Sequence, residues 1–269
     1  MEFANYNTLK IISRQNQVSL PACAIRVLMK QILEGLRVFH MTCLIHRDIK
    51  CDNILLHCPP GSGKILSKIS DFGMAKKEDN TSQKLYVKGT PPYMSPEIFK
   101  FPLIITQKVD IYAAGITFIH LLTGKYQILF KKFEEYKQFF DRPLTDINPI
   151  ERPKEITNNA LWNLLSKLVE FNPEQRFTAE QALSHEFFTG PEAQADISHE
   201  QQELAKKSVT AEQNGDQSIT QYDKDPSFIL PESIIKEYIN NKILNLQTNS
   251  SQSSSYQRVL NYWIMEDLK

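Results

Sequence analysis

Apolar positions recur with two different periods along this chain. Ile25, Leu28, Met29, Ile32, Leu33, Leu36 and Phe39 lie three and four residues apart, the spacing that stacks side chains on one face of an α-helix. They predict a long helix from about Leu20 to Met41, with Ser19 and Pro21 as its start signal. Around Ile45 the pattern gives way to a polar, charged loop. Two short apolar runs follow, Ile54–Leu56 and Ile65–Ile69, joined by Pro59, Pro60, Gly61 and Gly63; they predict a β-hairpin. Asp71 to Lys100 has little periodicity, and long structureless segments inside compact domains tend to be functional. Val109–Leu122 is apolar on nearly every side, which predicts a helix buried all round, with Ile111, Ile116 and Ile119 in the core and Gly124 closing it. Leu161, Leu164, Leu165, Leu168 and Val169 mark another amphipathic helix. Thr178 with Gln181 is a capping-box signal for the next.

After about Gly190 the periodicity fades. Gln, Glu, Ser, Asn and Asp dominate to about Asp225, so 190–225 is expected to be a disordered, solvated linker, dispensable for stability. The tail, 226–269, carries Ile234, Ile235, Tyr238, Ile239 and Ile243 at helical spacing. A helix within 228–246 is expected there, with an apolar stripe suited to docking on the preceding domain or on a partner. Asn249 to Ser255 is a polar break, and Val259, Leu260, Trp263 and Ile264 form a last apolar patch.

With 269 residues, 41% of them hydrophobic, the chain can bury one large core or two small ones. Lys+Arg and Asp+Glu both total 31. That balance argues against a nucleic-acid partner held by a broad basic face. Cys23, Cys43, Cys51 and Cys58 form no C-x-x-C pair, which argues against a zinc site and fits reduced thiols. No secretory signal is visible, and the longest apolar stretch is too short to span a bilayer. The expected location is the cytoplasm, with the nucleus as the alternative, and no membrane partner is expected.

The chemistry concentrates in His46-Arg47-Asp48-Ile49-Lys50-Cys51-Asp52-Asn53. Asp71-Phe72-Gly73 follows, then Gly89-Thr90-Pro91-Pro92-Tyr93-Met94-Ser95-Pro96-Glu97, then Asp110 and Gly115 as D-x-x-x-x-G, then Arg176. The first string resembles the catalytic-loop pattern of eukaryotic protein kinases, H-R-D-x-K-x-x-N, and the others resemble that family's later motifs in the same order. Ser95 stands where the A-P-E ending has alanine. The resemblance covers about Met1 to Phe188 and implies an α+β fold: a mainly helical C-terminal kinase lobe with a small β-hairpin, over 1–189, followed by a flexible tail.

What the resemblance implies about chemistry follows residue by residue. Phosphoryl transfer asks a protein mainly to position reactants and to neutralise charge on the transferring group. Asp48 corresponds to the catalytic base, Lys50 to the point charge on the γ-phosphate, and Asn53 and Asp71 to the oxygen ligands of Mg2+. ATP and Mg2+ are the implied cofactors, and proteins with Ser or Thr acceptors the implied partners. Lys50 and Thr90 point to Ser/Thr specificity. Arg47 corresponds to the arginine that pairs with an activation-loop phosphate. Tyr86 occupies the family's usual phosphorylation position, where serine or threonine is commoner, and Thr81 and Ser82 are further candidates. Glu97 and Arg176 correspond to a buried ion pair, and His46, Phe72, Gly73 and Asp110 to structural positions.

Met1-Glu2-Phe3-Ala4 resembles the hinge that offers backbone hydrogen bonds to adenine, through Glu2 and Ala4. The glycine-rich loop and the V-A-I-K lysine of the family's other lobe do not occur in the sequence. The chain by itself is therefore expected to bind ATP poorly. A partial kinase chain is the leading expectation; a non-catalytic, pseudokinase-like binding module is the alternative. Pro59-Pro60-Gly61-Ser62-Gly63-Lys64 resembles part of a P-loop, but Cys58 and Ile65 stand where glycine and Ser/Thr are required, so it reads as a turn.

Overall fold

A computed structural model describes residues 4–13, 20–78, 88–100, 103, 105–141 and 150–249. The chain divides into two units, Met1–Glu232 and Ser233–Lys269. The first combines helices with two small antiparallel sheets.

A single turn, α1 (Lys10–Ser13), precedes the long helix α2 (Ala22–His40). Pro21 caps α2, and the expected stripe of Leu28, Met29, Ile32, Leu33 and Leu36 is buried. β1 (Leu44–Ile45) follows, and then the hairpin of β2 (Ile54–His57) and β3 (Lys64–Ile69), in register Ile54↔Ile69 to His57↔Leu66. Gly61 and Gly63 take positive φ, 74° and 63°, in the connecting turn, a conformation glycine enters without steric cost. The P-loop look-alike is this turn. β4 (Lys76–Lys77) returns to pair with β1, Leu44↔Lys77. The two sheets thereby bracket two loops: 46–53, between β1 and β2, and 70–75, between β3 and β4.

α3 (Lys108–Thr123) is the central helix. Ile111, Ile116, Phe118 and Ile119 are all at most 2% exposed. Gly124, at φ 67°, ends it by donating its N–H to the His120 carbonyl. α4 (Phe133–Phe140) carries an aromatic cluster in which Phe140 stacks on Phe99. α5 (Asn159–Leu168) lies so close to α3 that a Cβ on Gly115 would sit 2.6 Å from Val169 and 2.9 Å from Leu168. The Thr178–Gln181 capping box opens α6 (Ala179–Leu183), and α7 (Glu186–Thr189) follows.

The expectation of a disordered linker over 190–225 is corrected by the structure. The chain continues through α8 (Pro191–Ala195), α9 (His199–Gln213) and α10 (Gln221–Lys224) to β5 (Leu230–Pro231). β5 adds a third strand to the hairpin, pairing Lys64↔Pro231 and Ile65↔Leu230. Composition misleads here because the polar side chains are used inside the protein. Arg26 on α2 bonds Asp196 at 2.6 Å, Lys64 bonds Asp223 at 2.5 Å, and the Tyr222 hydroxyl donates to Glu34 at 2.5 Å. Gln201, 2% exposed, donates to the carbonyls of Pro226 and Ile229. Polar groups buried with partners are tolerated where unpaired ones are costly.

The helix α11 (Glu232–Asn249) starts at the boundary and contains Ile234 to Ile243, whereas Phe228 to Pro231, expected in the same helix, end a 3-10 turn and form β5. The apolar patch at Val259–Ile264 lies outside the described residues. Among the described residues, no helix is long and apolar enough to cross a membrane.

Candidate active site

The loop 46–53 is fixed from below by one carboxylate. Asp110, on the first turn of α3 and fully buried, accepts hydrogen bonds from the backbone N–H groups of His46 and Arg47, both at 2.8 Å. His40, the last residue of α2, is bound to the same carboxylate at 2.9 Å. Arg47 adopts φ 69°, and the paired bonds from His46 and Arg47 to the two Asp110 oxygens hold the backbone in that uncommon region.

Asp48, 4% exposed, is the centre of a closed network. Lys50 Nζ donates to Asp48 Oδ2 at 2.7 Å and to Thr90 Oγ1 at 2.8 Å, and Thr90 Oγ1 donates to Asp48 Oδ1 at 2.8 Å. Asn53 Nδ2 donates to both the backbone carbonyl and Oδ2 of Asp48, each at 2.9 Å. Burial works to raise the Asp48 pKa, but the bonds from Lys50, Thr90 and Asn53 and the Lys50 charge outweigh it, so the carboxyl titrates below its ordinary value. The result is an ionised carboxylate pointed by three donors.

Asp71 is brought to the loop by its neighbour. The Ser70 N–H and hydroxyl donate to the Asn53 carbonyl at 2.9 and 3.0 Å, and the Ser70 carbonyl accepts from His46 Nε2 at 3.0 Å. That bond places the His46 ring proton on Nε2. Asp71 itself is exposed and left-handed, φ 62°, and its Oδ1 lies 3.3 Å from where a Cβ on Gly73 would stand. Phe72, 52% exposed, packs its ring 5.6 Å from Phe39 and 5.3 Å from His46. Turning the Asn53 amide nitrogen onto Asp48 leaves its Oδ1 without a donor among the described residues. Ser70 ties the loop of Asp71 to Asn53, and an amide oxygen and an exposed carboxylate are hard donors of the kind Mg2+ takes, so the residues present fit that ion.

A protein kinase domain model matches residues 1–188. The chain belongs to the protein kinase family. It is 30% identical to a DNA damage response protein kinase of Saccharomyces cerevisiae, over 66% of this chain and 37% of the relative. It is 32% identical to the liver/testis phosphorylase b kinase gamma catalytic chain of Mus musculus, over 64% and 42%. It is 33% identical to cyclin-dependent kinase 11 of Dictyostelium discoideum, over 70% and 58%. The chain thus spans less than two thirds of the length of each of these relatives.

Within this kinase fold, the Glu97–Arg176 pair forms in the interior, and Arg176 also donates to the carbonyls of Glu170 and Lys108, both at 2.7 Å. The Arg47 guanidinium donates through Nε to the Met74 carbonyl at 2.6 Å, and burial pulls its pKa down. Ala4 is described and half-buried. Glu2, Thr81, Ser82 and Tyr86 lie outside the described residues. Sequence reasoning did not single out His40 or Ser70. His40 closes a helical stripe and Ser70 sits between an apolar strand and a motif, so neither position carries a signal of its own.

Proposed function

We propose that this chain carries the C-terminal lobe of a serine/threonine protein kinase, which transfers the γ-phosphate of ATP to hydroxyls of protein substrates. The observation that carries the reading is the closed Asp48–Lys50–Thr90 ring. It holds one desolvated carboxylate with a fixed aim, with an ammonium beside it. Asp48 accepts the hydrogen bond of the acceptor hydroxyl and orients its oxygen. As a carboxylate it takes the hydroxyl proton as the new oxygen–phosphorus bond forms and the bond to the ADP leaving group breaks. Lys50 places its charge at the transferring phosphate, leaving Thr90 to hold Asp48. Asn53 and Asp71 hold Mg2+, which when bound offsets negative charge on the phosphates. Thr90 beside the base, with Lys50 two residues on, supports a Ser/Thr acceptor over Tyr.

Glu97 with Arg176 and Asp110 with the 46–47 backbone serve as the frame of the site. Thr81, Ser82 and Tyr86 are the candidate phosphorylation positions, with Arg47 as the cation to receive the phosphate.

The test is a phosphorylation assay on Ser/Thr protein substrates, comparing the purified protein with Asp48→Asn. Activity that falls about 10²–10⁴-fold in the variant supports the reading. Near-normal turnover in Asp48→Asn overturns the assignment of the base. No activity in either, with a protein partner retained in both, favours a non-catalytic binding module.

A further inference from the structure

We propose that residues 190–231 act as a brace that sets the position of Asp71, so that loosening this segment weakens Mg–nucleotide binding without altering a residue of the site. The inference rests on the kinase reading of Asp71 given above.

β3 is the strand that delivers Asp71. One edge of β3 pairs with β2 from Leu66 to Ile69; the other pairs with β5, at Lys64 and Ile65. An unpaired edge is the weak side of a small sheet. Gln31 on α2 joins all three parts. Its Nε2 donates to the Ile65 carbonyl at 3.2 Å and to the Phe228 carbonyl at 2.7 Å, and its Oε1 accepts from the Ser67 N–H at 2.8 Å. The Glu232 N–H closes the end of the strand on the Gly63 carbonyl at 2.9 Å.

The key contact is electrostatic. Lys64, at the start of β3, is only 7% exposed. Its ammonium donates to Ser208 on α9 at 2.9 Å and to Asp223 on α10 at 2.5 Å. Both partners come from the segment that composition marks as linker. A buried ammonium that loses its carboxylate is costly, so α9, α10 and β3 hold together or separate together. Further contacts hold the segment to α2, among them Asp196 on Arg26, Tyr222 on Glu34, and Phe228 under the Lys30 ammonium at 4.2 Å.

Asp71 depends on this support because its backbone is left-handed. Such a residue persists only where its surroundings over-determine it. Ser70 holds it from the side of the loop, and the register of β3 holds it from the other. β2 keeps its pairing with Leu66–Ile69, so freeing Lys64 and Ile65 loosens this second constraint from its far end. By reciprocity, a ligand on Asp71 then also tightens the segment.

The experiment uses the full chain with Asp223→Lys, which sets a second ammonium against Lys64, and Leu230→Asp, which puts a carboxylate into the β5 seam. Asp223→Asn is the milder version if either fails to fold. Hydrogen–deuterium exchange without nucleotide reads 191–231 and 64–75, and calorimetry reads Mg–ATP affinity. The expected result is faster exchange in both segments together and Mg–ATP binding weakened by about fivefold or more. The charge swap Lys64→Asp with Asp223→Lys recovers both. Faster exchange in 191–231 with 64–75 unchanged, or unaltered affinity in loosened variants, overturns the proposal. If the wild-type chain takes up no Mg–ATP, exchange alone decides: loosening of 191–231 and 64–75 together supports the brace, and 64–75 unchanged overturns it.

Discussion

The Arg176 guanidinium meets the Glu97 carboxylate in two parallel hydrogen bonds, 2.6 and 2.9 Å long, with its own side chain fully buried over the Tyr112 ring. Removing one partner strands the other's charge. Glu97→Ala is therefore expected to cost about 3–5 kcal/mol in urea denaturation. Arg176→Lys is expected to recover little against Arg176→Ala, because an ammonium cannot reproduce the fork or the three carbonyl contacts, to Glu170, Lys108 and Phe171. A loss below about 1 kcal/mol would mean that the pair behaves as a surface ion pair.

Asp48 and Asp71 are expected to separate in kinetics. In its proposed role Asp48 addresses the acceptor hydroxyl, so Asp48→Asn is expected to lower kcat and to leave Mg–ATP affinity nearly unchanged. Asp71 is the proposed metal ligand, so Asp71→Asn is expected to weaken Mg–ATP binding as well as turnover. Calorimetry across a magnesium series checks this. Equal loss of affinity in both variants would contradict the division of roles.

Gly115→Ala is expected to destabilise the fold by about 1–3 kcal/mol, since its methyl would overlap Val169 and Leu168 where α3 and α5 touch. The shift of the thermal midpoint measures it. An unchanged midpoint would show that α5 can move aside freely.

His120 supplies a pH prediction. Burial holds it below its ordinary value of 6.5, and the Tyr93 hydroxyl lies 2.9 Å from its Nδ1. The unfolded chain therefore takes up the proton first as pH falls. The stabilisation is complete above 6.5 and is lost as pH drops through the window beneath it. His185, also lowered by burial, acts in the same direction. Ring-proton NMR is expected to place the His120 midpoint below 6.5, and His120→Phe to flatten stability against pH there. A midpoint at or above the ordinary value would refute the burial account.

The elements legible in the sequence are those whose apolar side has a period. α2, the hairpin, α3 and α5 lie within a few residues of expectation, because each buries a continuous apolar face. α9 escaped because its buried side is Gln201, Ala205 and Ser208, which has no hydrophobic contrast with its exposed side. Its Ser198–Gln201 capping box was a readable start signal. β5 is two residues long and includes Pro231, so propensity argues against it; pairing to β3 decides. In the site, the motif residues were legible as a string. What positions them was not: His40 and Asp110 meet across 70 positions, and Ser70 reaches Asn53 across 17. Contacts of that range are made by packing and leave no local pattern.

Arg47 and Asp71 share a feature with a wider consequence: each sits at positive φ without being glycine. For an ordinary side chain that conformation costs about 1–2 kcal/mol. Evolution toward robustness alone would have favoured glycine at both places. The chain keeps a guanidinium and a carboxylate there instead, and spends part of its folding reserve on them. Heat or a distant core mutation that erodes this reserve would therefore disarm these two residues while most of the molecule still stands.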